Sequence, residues 1–485
     1  MPSLFIFLLS LSLLAQDQLT TQEKRGLQIF ERGTSASGNA IEALVAGGTR
    51  VPASVLPCVN CHGHDGQGRP EGGVIPSNLS WDALTKPYGL THPNGRTHPA
   101  YTERSLRRAI TMGIDPAGNP LNKAMPRFQL SMADATDLVA YLKKLGQVVD
   151  PGLTDTTVQL GVILPAPSRT TNTNRIVRQA LLHYFARENA AGGVFGRRIE
   201  LTFVELSSDP GQRSGAVLAF LQKEQTFAVV GADITGAESE IANVMLNTRT
   251  PTITALAAFP QIDSPLNRYV FYLDGGVKEE AEALYRFAEK KFPKEIARLG
   301  IMSSDKGNSH EAAKWLEARL KKSQPGPVIV TEVQHARPPA LVFWLSPGSR
   351  LPSRAPNGNS ETTFLIPASL GEEDTFPPLG SRVLVALHAL LPSEDWAVDS
   401  KSADHLTWKR ATASAEIMTE AMTRAGRNLT RAGLLDALEG FYDVQTSLAT
   451  PISFGPNRRV GISDVRVMVF DPDRRKLVPA QDGPM

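Results

Sequence analysis

Cysteine is almost absent from this chain: two occur among 485 residues, at positions 58 and 61. A closed structural zinc site takes four ligands, and no second cysteine pair exists to complete one. An excess of one charge is also lacking. Fifty-one Lys and Arg face 49 Asp and Glu, a net charge of +2, which gives no case for nucleic acid or an anionic membrane as a bulk partner. Short basic pieces such as Arg104, Arg107 and Arg108, or Arg458 and Arg459, read as solvated faces. Beyond the N-terminus no apolar run reaches the ~20 residues that a membrane-spanning helix needs. G-x-G-x-x-G after a strand, the Walker loop, H-E-x-x-H and G-x-S-x-G are all missing, so no catalytic residue is assigned and the chain does not read as an enzyme.

What the two cysteines do form is Cys58-Val59-Asn60-Cys61-His62. C-x-x-C-H is the haem-attachment motif, with two thiols spaced to form thioethers with the haem vinyl groups and an adjacent imidazole as axial iron ligand. A thioredoxin-like redox pair would instead need a βαβ context, whereas Leu56-Pro57 precede the motif and Gly63-His64-Asp65-Gly66 follow it. The candidates for a second axial ligand are Met112, Met125, Met132, His64, His92 and His98. Met125 is favoured, because Pro126 pins its segment in extended or turn geometry from which a thioether can point at iron. Met132 belongs to a helix that begins at Ser131 and whose Leu138, Tyr141, Leu142 and Leu145 have packing spacing. Met112 and Met132 therefore read as core filler, and the three histidines as residues of a polar, Gly- and Pro-rich surface, one of them being the bis-histidine alternative.

Residues 20–146 resemble a class I mono-haem cytochrome c. A first helix over Thr20–Arg32 opens with a Thr20-Thr21-Gln22-Glu23 capping box and carries Gly26 and Phe30 where that family packs a small residue and an aromatic. Leu138-Val139-Ala140-Tyr141-Leu142 matches the family's last helix. The resemblance implies one covalent haem c on Cys58 and Cys61, His62 as proximal ligand and Met125 as distal ligand. Thr34–Pro57 is a longer insert than the family usually has, and Ile41-Glu42-Ala43-Leu44-Val45 suggests a short extra helix within it.

Met1–Ala15 resembles a signal-peptide hydrophobic region with a small residue before Gln16-Asp17-Gln18. Export to the periplasm is expected, with an uncleaved membrane anchor as the alternative. The boundaries read as 1–15 signal peptide, 16–146 cytochrome c domain, 147–156 linker around Asp150-Pro151-Gly152, and 157–485 a second domain.

In that second domain short apolar runs alternate with amphipathic helices. Strands are expected over 158–164, 199–206, 227–232 and 252–255, with helices over 176–184, 211–223 and 237–246 between them. A second set follows, with strands at 269–273, 299–302, 328–333, 340–345 and 364–366 and helices at 279–291 and 310–321. This is the pattern of βαβ units and parallel sheets, in two lobes with a cleft between them. Leu160-Gly161-Val162-Ile163-Leu164-Pro165, the block Glu188–Leu201, Ser208-Asp209-Pro210 and Phe227-Ala228-Val229-Val230-Gly231 resemble a type I periplasmic solute-binding protein of the leucine/isoleucine/valine-binding kind. That resemblance places ligand contacts at strand ends, here Asp233, Thr235, Gly236, Thr254, Ala255 and Tyr272. An aspartate where the family presents small hydroxyl residues argues against an amino-acid carboxylate as ligand and for a cation or a donor-rich ligand. The stretch 347–362 is rich in Pro, Ser and Asn and reads as degenerate.

The expected architecture is thus an all-α cytochrome c domain followed by a two-lobed, Rossmann-like α/β domain with parallel sheets. The expected function is periplasmic electron transfer, with a periplasmic dehydrogenase or oxidase as redox partner and a second domain that docks or senses a small polar ligand. The alternatives are the substrate-binding component of an ABC-type transporter that delivers its solute to a membrane permease, with an accessory haem, and the cytochrome subunit of a dehydrogenase.

Overall fold

The computed structural model of the chain describes residues 19–63, 66–68, 73–92, 94–146, 149–166, 172–263, 265–297, 299–303, 307–322, 340–345, 362–370, 382–388, 390, 400–471 and 476–480. The expected signal peptide over 1–15, His64, the expected strand over 328–333 and nearly all of 347–362 lie outside the described residues. The chain divides into two units, Met1–Val149 and Asp150–Met485.

In the first unit, helix α1 (Thr21–Arg32) begins at the expected capping box: Glu23 N donates to Thr20 Oγ1 at 3.3 Å and Thr20 N donates to Glu23 Oε2 at 2.6 Å. Strands β1 (Glu42–Leu44) and β2 (Arg50–Pro52), helices α2 (Cys58–His62) and α3 (Trp81–Leu84), strands β3 (Leu90–Thr91) and β4 (Thr97–His98), helix α4 (Glu103–Met112), strand β5 (Arg127–Gln129) and helix α5 (Met132–Leu142) follow. Helix α1 crosses α5 at very short range. A Cβ on Gly26 would lie 2.0 Å from Asp137 O and 2.7 Å from Tyr141 Cβ. Phe30, fully buried, packs its ring 5.4 Å from that of Tyr141, and Arg25 donates twice to the Asp137 carboxylate at 2.6 and 3.1 Å.

The short helix expected over Ile41–Val45 is instead a strand. Ile41 and Ala43 are buried while Glu42 and Leu44 are only half-buried, a period of two rather than 3.6, and Gly47 and Gly48 turn the chain back into β2. β1 is the middle of a three-stranded antiparallel sheet, with β2 on one side and β5 on the other.

In the second unit, β6 (Thr157–Leu164), α6 (Thr173–Ala190), β7 (Arg198–Glu205), α7 (Pro210–Lys223), β8 (Ala228–Val230), α8 (Glu238–Thr248), β9 (Thr252–Ala255) and β10 (Val270–Asp274) alternate as expected. Then come α9 (Gly276–Lys291), β11 (Leu299–Met302), α10 (Gly307–Leu320), β12 (Leu341–Trp344), β13 (Thr363–Pro367), β14 (Arg382–His388), α11 (Ser400–Ala425), α12 (Arg431–Glu439), β15 (Val460–Ile462), β16 (Val465–Asp471) and β17 (Lys476–Pro479). Two six-stranded sheets result. The first, ordered β15-β10-β9-β8-β6-β7, is parallel throughout; the second, β11-β12-β13-β14-β16-β17, is parallel up to β14 and antiparallel beyond it. Each sheet is the middle layer of a lobe with apolar clusters on both faces, which is why its strands are buried along nearly their whole length.

The chain passes between the lobes three times: after β10 at Gly275-Gly276, after β14 between His388 and Leu390, and between β15 and β16. His388 stands at one of these crossings and its carboxylate partners at another. His388, 2% exposed, has Nδ1 3.2 Å from Glu280 Oε1, Nε2 3.3 Å from Glu279 Oε2, and Asp274 Oδ1 3.9 Å from Nδ1. Ser369 donates its N–H and hydroxyl to the same Glu280 carboxylate at 2.8 and 3.0 Å. Burial opposes the charged imidazole, but the hydrogen bonds to Glu279 and Glu280 and the charge of Asp274 outweigh it, and raise the pKa of His388 from 6.5 to about 10.

Gly26→Ala forces α1 away from the α5 backbone and lowers the stability of the cytochrome unit by about 2 kcal/mol, read by denaturant unfolding. A raised folded-state pKa means that the His388 contribution is full below pH 6.5 and fades as the pH climbs through about 10. His388→Gln therefore destabilises the second unit by about 3 kcal/mol at neutral pH. The difference in melting temperature between the native protein and this variant shrinks when both are melted at alkaline pH.

Candidate functional site

The elements of the first unit enclose a cavity of about 550 Å3, within the ~300–1,000 Å3 of cofactor pockets. Its apolar walls are Phe30 of α1, Leu106, Ala109 and Ile110 of α4, Phe128 of β5, and Leu138 and Leu142 of α5. Cys58, Cys61 and His62 line it from α2, a single turn that starts after Pro57, a residue suited to the entry of a helix. Cys58 is half-buried and Cys61 exposed, both as free thiols, and burial pushes the Cys58 thiol up to about 12.

His62 is 8% exposed, and its Nδ1 lies 2.9 Å from the carbonyl oxygen of Ser77. A carbonyl only accepts, so Nδ1 carries the proton and the lone pair on Nε2 is left for a metal. Burial lowers the pKa of His62, with the Ser77 carbonyl acting the other way, and the neutral ligating form is favoured.

Met125 lines the same cavity. It sits in a turn where Met125 N donates to Asn122 O at 3.1 Å and Ala124 N to Asn122 Oδ1 at 2.9 Å, and Pro126 leads directly into β5. Met112 and Met132 are 63% and 74% exposed, so neither is the core filler expected of it. Met112 ends α4 beside Gly113 and Met132 is the first residue of α5, positions on the solvent side of their helices.

The histidines also depart from expectation. His98 is buried and His92 half-buried, and both line the cavity. His98 Nδ1 lies 2.7 Å from Pro99 O and its Nε2 3.0 Å from His92 Nε2, while Arg96 Nη2 lies 2.7 Å from that same His92 nitrogen. Arg96 also donates to the fully buried Asp115 at 2.7 Å. Burial works against the Asp115 charge, but Arg96 and two donors from Asn119 more than offset it and hold the carboxyl below the usual range. Burial, then the Arg96 charge, lowers the pKa of His92. Of the described candidates that line the cavity, His92 accepts from Arg96 through Nε2 and the His98 Nε2 faces that same nitrogen, whereas the thioether of Met125 has no hydrogen-bond partner among the described residues. The basic pieces are not all solvated faces either. Arg108 is half-buried and donates to Asp115 O, and Arg459, 4% exposed, lies 4.5 Å over the Phe271 ring and donates to Glu439 at 2.9 Å.

In the second unit the strand-end residues separate into two groups. Asp233, half-buried, accepts from Thr235 N at 3.1 Å and stands beside the exposed Thr235 and Gly236, at the turn between β8 and α8. Burial raises the Asp233 pKa, with Thr235 and the Arg410 charge acting against it. Thr254, Ala255 and Tyr272 are not on that surface. Tyr272 and Ala255 belong to the core cluster on one face of the first sheet, and Thr254, fully buried at a positive φ of 57°, spends its hydroxyl on Ile253 O at 2.6 Å. Strands buried on both faces carry these side chains inward, which alternation in the sequence does not reveal.

Comparison with known families matches residues 54–146 to cytochrome c and residues 157–340 to a periplasmic binding protein. The chain combines a cytochrome c domain with a periplasmic-binding-protein domain of type 1. The cytochrome c domain implies covalently attached haem c, and Cys58 and Cys61 supply the C-x-x-C-H thiols. Among solved structures, the second unit is similar to a type 1 periplasmic binding protein from Bordetella pertussis Tohama I, at 19% identity over 67% of this chain and 100% of that one, with a TM-score of 0.52. It is also similar to a leucine-binding protein from Thermotoga maritima MSB8, at 14% identity over 67% of this chain and 97% of that one, TM-score 0.52. A possible leucine/isoleucine/valine-binding protein from Rhodopirellula baltica SH 1 is similar at 15% identity over 69% of this chain and 98% of that one, TM-score 0.50. At these identities the likeness shows the fold alone. No curated protein matches the chain. Neither match indicates an enzyme family, and no described helix is long and apolar enough to cross a membrane.

Sequence reasoning did not find Ser77, Arg96 or helix α4. Ser77 acts through its main chain, which no residue type announces; Leu106, Ala109 and Ile110 at helical spacing after Thr102 were the available signal for α4. Replacing Cys58 and Cys61 together by Ala leaves haem extractable with acidified organic solvent, whereas the native protein retains it through denaturation.

Proposed function

We propose that this protein is an exported one-electron carrier in which His62 and Met125 are the axial iron ligands of a haem joined to Cys58 and Cys61. The observation that carries the reading is the His62–Ser77 hydrogen bond, which leaves Nε2 free in a cavity that Met125 also lines. When bound, haem supplies a one-electron Fe(III)/Fe(II) couple, and His/Met ligation favours a raised potential. The chain does the rest. Ser77 holds the imidazole neutral and oriented, the Asn122 turn holds the thioether, and Phe30, Leu138 and Leu142 keep water from the iron. Arg96, which lines the same cavity and is held by Asp115, offers guanidinium N–H donors that suit a haem carboxylate.

The natural compartment for both domains is the periplasm, reached by removal of residues 1–15, with domains over 16–146 and 157–485 joined by 147–156. The binding domain docks the carrier to a periplasmic dehydrogenase or oxidase, or senses a small polar ligand through the exposed turn of Asp233, Thr235 and Gly236. The match of 157–340 to periplasmic binding proteins favours a second reading, delivery of a small polar solute to a membrane permease.

A redox titration of the haem-loaded protein, with and without a set of amino acids, amides and small cations, separates the two. The carrier reading with a sensing domain expects one solute to shift the potential. A solute that raises the melting temperature and leaves potential and spectrum untouched overturns that coupling in favour of transport.

A further inference from the structure

Arg127, the first residue of β5, points its guanidinium back over the loop that carries Met125. Nη1 donates to Met125 O, and Nη2 donates to Leu121 O at 3.1 Å and approaches Asn122 O at 3.5 Å. The side chain passes directly across the backbone at the end of α4: a Cβ on Gly113 would lie 1.7 Å from Arg127 Nε, so only glycine, here at φ +68, leaves it room. No ion pair to Arg127 is formed among the described residues, and burial lowers its pKa. A half-buried guanidinium aimed at carbonyls of one turn acts as a clamp, since its rigid fork of donors fixes several acceptors at once.

The backbone of Arg127 is itself held by the long insert. Leu44 pairs with Arg127, Ala43 with Phe128 and Glu42 with Gln129, so β1 fixes the strand from which the clamp reaches. Resting on the reading of Met125 as an iron ligand, we propose that Arg127 is a positioning residue for that ligand. The guanidinium, reaching from a strand that the insert pairs with, sets how firmly the thioether occupies the sixth coordination position.

The test is binding of imidazole to the ferric, haem-loaded full chain, an equilibrium in which the added ligand must displace Met125. Loss of one charge-assisted hydrogen bond is worth about 1.4 kcal/mol or more, hence roughly a tenfold rise in imidazole affinity for Arg127→Gln. The thioether-to-iron charge-transfer band weakens in parallel, and Arg127→Lys, which keeps the charge but not the fork, falls between native and Gln. Arg50→Gln removes an exposed ion pair with Glu42 on the same sheet and leaves both readouts at native values. If Arg50→Gln moves them as far as Arg127→Gln does, sheet loosening explains the effect and the proposal fails. It fails equally if Met125→Ala abolishes the band and raises the affinity while both Arg127 variants bind as native. A Met125→Ala protein that keeps the native band and affinity removes the ligation reading, and the Arg127 inference with it. Where Arg127→Gln does not accumulate as folded protein, Arg127→Lys alone decides between these outcomes.

Discussion

Helix α1 lies on α5 with no side chain between them at Gly26, and the cytochrome unit is arranged around that contact. Such an approach brings Phe30 against Tyr141 and sets Phe30, Leu138 and Leu142 as one continuous apolar wall of the cavity. The bidentate pair of Arg25 with Asp137 crosses the same junction, and Asp137 is buried enough that removing Arg25 would strand its charge. Elsewhere along the cavity lining the chain solves a different problem, because Met125 sits in a loop with no helix to hold it. There the ordering comes from a small sheet and from hydrogen bonds to loop carbonyls.

The second unit depends on long-range closure of another kind. Its lobes are not consecutive in sequence: α11, α12 and β15 return to the first lobe after β14, and the chain then leaves again for β16 and β17. Each lobe is therefore completed by segments far apart in the chain, and the crossings near Gly275 and His388 are tied together by a buried imidazole among three carboxylates. Such a tie stabilises one relation between the crossing strands, and its strength depends on a proton.

Much of this was legible in the sequence, for identifiable reasons. C-x-x-C-H encodes its chemistry within five residues, so Cys58 and Cys61 needed no tertiary information. The first lobe repeats strand and helix at regular spacing, and β9 over Thr252–Ala255 was placed to the residue. Ile41–Val45 misled because five residues are too few to separate a period of two from one of 3.6, and the pairing that decided it comes from β5, more than eighty residues away. Met132 and Met112 misled because apolar residue type says nothing about which side of a helix end faces solvent. Tyr272 was placed at a strand end by resemblance, yet a strand covered on both faces buries it. His98, Arg96 and Ser77 gather only through tertiary folding, which no local pattern announces.

The most direct test of the account is the proton NMR spectrum of the reduced, haem-loaded full-length protein. Ligation by His62 and Met125 predicts a single thioether methyl resonance shifted far upfield of the protein envelope by the haem ring current. A reduced low-spin spectrum with no such methyl resonance would mean that a nitrogen, not Met125, occupies the sixth position, and the site described around Met125 would have to be abandoned.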